Sequence, residues 1–235
     1  MAEKKTSTLG NVYARERSII KNVYLWMTAG LGLTGLVAFF IASNPSLMKV
    51  LIGNTMGFIL LIVGEFALVF YLSARLDKMS QTSAIAAFLA YSALTGVLLS
   101  TIFVVYTGVV IYKTFLTTAL MFAGMSVYAM TTKRDLSGLG YYLRMGLWGL
   151  IIASVINMFF RSAGMDYIIS FIGVAVFLGL TAYDTRKIIQ MNNQYGSSMD
   201  EEEFTKVSIL GALSLYLDFL NLFLYLLRIF GRSSK

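Results

Sequence analysis

VSILGALSLYLDFLNLFLYLLRIF, residues Val207–Phe230, decides the fold. It is long enough to cross a bilayer, for which about 20 mostly apolar residues suffice. It also carries Asp218 near its middle, where a carboxylate costs roughly 2.5–3.5 kcal/mol to insert. Gly211, Ser214, Asp218, Asn221, Tyr225 and Arg228 recur at alternating steps of three and four, which is one face of a helix. The remaining faces are Leu, Ile and Phe. Such a helix packs among other helices rather than facing lipid, and Asp218 is the residue to explain.

The surrounding chain has the same character. Of 235 residues, 57% are hydrophobic and only 13% are charged, and the mean hydropathy is +0.73. This composition predicts a polytopic membrane protein. Cysteine and histidine are both absent. Disulfides, thiol nucleophiles, Cys or His metal sites and a Ser-His-Asp triad are therefore excluded, and proton chemistry is left to carboxylates, Lys and Tyr. The net charge of +7 invites a nucleic-acid reading, but the basic residues sit mostly in short loops on one side of the spans. That is a topology signal, and no nucleic-acid partner is expected.

Seven hydrophobic segments follow a polar, basic N-terminal tail (residues 1–22), which reads as cytoplasmic and is expected to be retained. They run roughly Val23–Ser43, Val50–Ser73, Ala84–Tyr106, Val110–Met130, Tyr141–Phe160, Tyr167–Tyr183 and the opening stretch. Together they make one seven-helix transmembrane domain over residues 23–230, ahead of a short tail at 231–235. Continuous apolar runs imply helices and not a β-barrel. The longest loop is expected over Thr185–Lys206 and contains the acidic run Asp200–Glu203. With the N-terminus inside, 13 of the 19 Lys and Arg residues fall on the inner side.

This topology places Arg75 and Asp184 at the inner ends of the second and sixth segments. Asp218 lies about three turns, ~16 Å, into the seventh from the same side. The three are expected to meet, with Glu65 ~15 Å further out along the second segment. Two carboxylates in contact at low dielectric cannot both ionise cheaply and tend to share one proton. A nearby arginine would latch them, giving a pH-sensitive switch without histidine. Carboxylates are also natural ligands for calcium, so Asp184, Asp218 and Glu65 are candidates for transient calcium contacts. A plainer reading stands beside each residue. Asp184 would cap a helix end and pair with Arg186 or Lys187. Asp218 would make a structural hydrogen bond, and Glu65 would pair with a neighbouring Ser or Thr. Arg75 would be an ordinary membrane-edge charge, and Asp200–Glu203 a solvated loop.

The seventh segment, Ala212-Leu-Ser-Leu-Tyr-Leu-Asp218-Phe-Leu-Asn-Leu-Phe223 with Arg228 behind it, resembles the signature of the Bax inhibitor (TMBIM) family. Thr181-Ala-Tyr-Asp184-Thr is similar to its second aspartyl motif. Lys133-Arg-Asp-Leu136 and Glu65 also fit, and the short tails and loops resemble a prokaryotic member. The resemblance implies an all-α fold with the last helix central and two three-helix layers around it. It also implies a pH-sensitive calcium leak, with Asp184 and Asp218 as the sensor. The latching arginine carries over to Arg75, one position before the Leu76 that stands where the family pattern would have it. Glu65 and Asn221 would line the ion path. The implied permeant ion is calcium, with no resident cofactor and no enzymatic activity. Two other readings compete. One is a regulatory protein that binds a membrane partner without transport. The other is an intramembrane aspartyl protease, against which Leu215-Tyr216-Leu217 stands where such enzymes carry Gly-x-Gly. A rhodopsin-like reading fails because the seventh span holds no lysine.

Overall fold

The computed structural model describes residues 2–195 and 199–232, without the side chains of 2–18, 52, 77, 195 and 232. Residues 233–235 of the expected C-terminal tail lie outside it. Among the described residues all regular structure is helical. The helices are α1 (Ala2–Ala42), α2 (Pro45–Gly53), α3 (Thr55–Arg75), α4 (Gln81–Leu99), α5 (Ile102–Val105), α6 (Gly108–Thr131), α7 (Leu139–Phe160), α8 (Ala163–Tyr195) and α9 (Glu201–Arg232). Seven of them contain stretches long and apolar enough to cross a membrane. The chain is an all-α, polytopic membrane protein.

Helix ends depart from the hydropathy edges in four places. The first expected segment, Val23–Ser43, lies on a helix that already runs from Ala2 and ends at Ala42. The second expected segment is split, because Asn54 ends α2 and its Oδ1 accepts from Gly57 N at 3.0 Å to open α3. Near the end of the third segment, the hydroxyls of Ser100 and Thr101 donate to the carbonyls of Val97 (2.6 Å) and Leu98 (2.8 Å). The helix breaks there into α4 and α5, as hydroxyls that compete for backbone acceptors favour.

The fourth departure matters most. The loop expected from Thr185 is helix as far as Tyr195. TRKIIQMNNQ contains no Gly or Pro, and Ile188, Ile189 and Asn192 are buried, continuing the helical face. Asp184 is therefore an interior helical residue, which corrects the helix-cap reading. The acidic run is likewise not a loop. Asp200 Oδ1 accepts from Glu203 N at 2.8 Å, and Glu201–Glu203 form the exposed first turn of α9, where negative charge suits the helix dipole.

The chain divides into two compact units. Residues 1–107 with 191–213 form one, and residues 108–190 with 214–235 form the other. In the first, α1 lies close against α4. A Cβ at Gly96 would come 2.7 Å from the Thr34 carbonyl oxygen, and Thr34 Oγ1 donates to Ser92 O at 2.8 Å. Small residues and an interhelical hydroxyl bond are what allow two helices to approach without a hydrophobic drive. α3 packs on α4 beside this pair. In the second unit, Gly140 of α7 leaves room for the Tyr183 ring of α8, and Gly173 of α8 for the Tyr225 ring of α9. Phe219 of α9 stacks edge-on against Phe115 and Phe122 of α6, with centroids 5.6 and 5.5 Å away.

α9 is the most enclosed span. Of its best apolar window 67% is buried, against 6% to 33% in the other six. Leu213, Leu215, Tyr216, Leu222 and Leu227 are all fully buried on it. That meets the expectation of an inner last helix.

Candidate functional site

Asp218 follows from this enclosure. Four-residue steps along α9 put it between Ser214 and Leu222, flanked in sequence by the buried Tyr216 and Phe219. The carboxyl is 4% exposed, and its Oδ2 meets no hydrogen-bond partner among the described residues. An unsatisfied buried carboxyl oxygen is costly, and costlier still inside a membrane. Asp184 of α8 lies within electrostatic reach of it. Asp184 is half-buried, and the exposed Lys187, one turn along α8, acts on its charge. Next to Asp184, Thr185 Oγ1 and Arg186 Nε are also buried without hydrogen-bond partners among the described residues.

The end of α6, the following loop and the start of α7 pack against this part of α8. Ala129, Leu136 and Ala182 form one buried cluster, and Tyr183 fills the space above Gly140. Asp135 of the loop accepts from Ser137 N at 2.9 Å. That bond and the Ser137 hydroxyl hold the Asp135 carboxyl below the usual carboxylate range, with a smaller contribution from the Arg186 charge. Leu136 thus seats the α6–α7 loop against the helix that carries Asp184.

The other expected residues have these settings. Glu65, half-buried on α3, accepts from Thr95 Oγ1 of α4 at 2.7 Å, the hydroxyl pairing of the plainer reading. Arg75 ends α3 in the first unit. It is exposed, and its guanidinium carbon lies 6.0 Å from the Tyr71 ring centroid. Asn221, half-buried on α9, donates its side-chain amide to Leu217 O at 2.8 Å. Among the described residues no three acidic side chains group as ligands for a metal ion. Thr95 was not singled out from the sequence. Its hydroxyl is buried on α4 beside that of Ser92, a setting that only the structure shows.

Comparison with known proteins agrees with the motif reading. A family model described as "Inhibitor of apoptosis-promoting Bax1" matches residues 16–235. Inner membrane protein YbhL of Escherichia coli is 49% identical over 215 residues, covering 92% of this chain and 92% of that protein. A protein of Borreliella burgdorferi is 45% identical over 223 residues, covering 93% and 95% of the two chains. A membrane protein of Streptococcus pyogenes serotype M1 is 37% identical over 217 residues, covering 90% and 91%. The chain belongs to the Bax inhibitor family of membrane proteins.

Proposed function

We propose that the chain is a passive, pH-sensitive calcium leak of a prokaryotic inner membrane, gated by Asp184 and Asp218. The observation that carries this reading is Asp218 itself, buried on the most enclosed span, with one oxygen unpartnered and a second carboxyl in reach. A residue needed only for packing would not be an aspartate there, since a buried charge near a like charge opposes folding. Two such carboxyls favour states in which they hold one proton between them. Calcium needs the same oxygens ionised, so protons and calcium compete for the pair. Asn221, three residues after Asp218 on the same helix, lines the path beside the pair. The chain needs no resident cofactor and performs no covalent chemistry. The inner-membrane location follows the name of its Escherichia coli relative.

The test is calcium flux into proteoliposomes at a series of pH values, for the wild type, Asp184→Asn and Asp218→Asn. Both variants are expected to change the pH profile. Wild-type profiles in both would end the reading. A protein that regulates a membrane partner without transport would instead give no flux when pure.

A further inference from the structure

We propose that Glu65 and Thr95 form a second intramembrane proton-binding site, in which Thr95 is a positioning residue that holds the carboxyl in both of its protonation states. The geometry of one hydroxyl carries this. Thr95 is buried on α4, and its Oγ1 lies 2.7 Å from Glu65 Oε1 and 3.0 Å from the carbonyl oxygen of Tyr91, one turn earlier on its own helix. A threonine hydroxyl has one hydrogen to donate and lone pairs to accept with. Two acceptors therefore face one hydrogen.

The arrangement has two complete solutions. With Glu65 ionised, the hydroxyl hydrogen goes to Oε1 in a charge-assisted bond. With Glu65 protonated, the new carboxyl O–H donates to a lone pair of Thr95 Oγ1, and the hydroxyl hydrogen turns to the Tyr91 carbonyl. One proton enters, one O–H bond forms on the carboxyl, and the hydrogen bond between α3 and α4 reverses direction without breaking. No polar atom of the three is stranded in either state, which matters where no bulk water can serve. A valine at this position would fill the same space and remove the hydroxyl that serves Oε1 as donor and as acceptor.

The charged and titratable groups on the elements around Glu65 are few. α3 itself carries Tyr71 and Arg75, the latter ten residues on and ~15 Å along the axis. α4 carries Tyr91. Of the other elements packed on α3, α2 carries Lys49 and the turn after Arg75 carries Asp77 and Lys78. Thr95 Oγ1 bonds the carboxyl from α4. The site belongs to the first unit and the aspartates to the second, so each can be tested with the other intact. Its link to permeation rests on the leak reading; the proton site does not.

Infrared difference spectroscopy of the full chain in lipid nanodiscs, stepped across pH, reads the site directly. A protonated-carboxyl C=O band that titrates in the wild type and vanishes in Glu65→Gln is expected. Thr95→Ser should keep its frequency and midpoint. Thr95→Val should shift the frequency and move the midpoint by about one pH unit or more, a tenfold change in proton affinity. Thr95→Ala is the second variant should the valine fail to fold. Absence of a band sensitive to Glu65→Gln overturns the proposal, as does an unchanged band in Thr95→Val and Thr95→Ala. Calcium flux on the same samples separates the two claims. The band without flux keeps the proton site and ends the leak; flux without the band does the reverse.

Discussion

Replacing Asp218 with asparagine should make the protein more stable. The substitution keeps the shape of the side chain and removes its charge. In the native protein Asp218 is 4% exposed, Oδ2 is without a hydrogen-bond partner, and Asp184 adds a like charge within reach. An unsatisfied buried polar group costs about 1–3 kcal/mol, and more when charged. The new amide cannot ionise, and it brings donors that can face the Asp184 carboxyl. The expected gain is therefore ~1–3 kcal/mol, taken from the lower, neutral figure. For a chain of this size, roughly 2–4 °C per kcal/mol gives a melting temperature higher by roughly 2–12 °C. Tryptophan fluorescence from Trp26 and Trp148 during heating in nanodiscs provides the assay. Leu222→Ala, at a fully buried position on the same helix, is the counter-control and should cost ~2–5 kcal/mol. A loss of more than about 1 kcal/mol in Asp218→Asn would refute the reasoning. The carboxylate would then be a structural hydrogen-bonding group, and the argument that it is retained for gating would lose its basis.

Other outcomes follow from packing and local charge. Gly173→Ala puts a Cβ 2.7 Å from the Tyr225 ring, which is already stacked on Phe177 with centroids 5.8 Å apart. The rigid ring must move, and thermal unfolding should show a loss of about 1–3 kcal/mol. Gly149→Ala in α7 meets nothing within 4 Å and should gain ~0.5–1 kcal/mol in the same assay. Asp135→Asn removes a carboxylate whose titration lies below its ordinary range. Such a group stabilises the fold at pH values above its unfolded-state pKa of about 3.9, and that contribution is lost as pH falls through its lower folded value. The variant should therefore melt slightly below the wild type at neutral pH, and the gap should close once the pH has fallen well below the ordinary carboxylate range. A gap that persists there would assign the effect to something other than the carboxylate.

Much of this was legible in the sequence, for identifiable reasons. The polar stripe from Gly211 to Arg228 was periodic, so both the helix and the cost of Asp218 could be read from spacing. The Asp184 motif could be read as well, but its setting could not. Hydropathy drops after Tyr183, and a drop in hydropathy marks the edge of apolar surface, whereas helix ends are set by caps and breakers. Thr185–Gln194 contains neither Gly nor Pro, so α8 runs on and Asp184 becomes an interior residue. The reverse occurred at Asn54, where an apolar stretch hid a cap whose side chain bonds Gly57 N. Thr95 was illegible for a third reason. Threonine is common in transmembrane helices, and only the distance to Glu65 on another helix, 30 residues away in sequence, gives it meaning. Pairing between elements is a tertiary fact, and one sequence contains no record of it beyond the burial pattern.

The central claim is that Asp184 and Asp218 set the pH response of a calcium leak. Calcium flux into proteoliposomes, measured across pH for the wild type, Asp184→Asn and Asp218→Asn, tests it most directly. A pH-dependent flux is expected in the wild type, with an altered or flattened profile in each variant. Three superimposable profiles, or no flux from any of the three folded proteins, would contradict it.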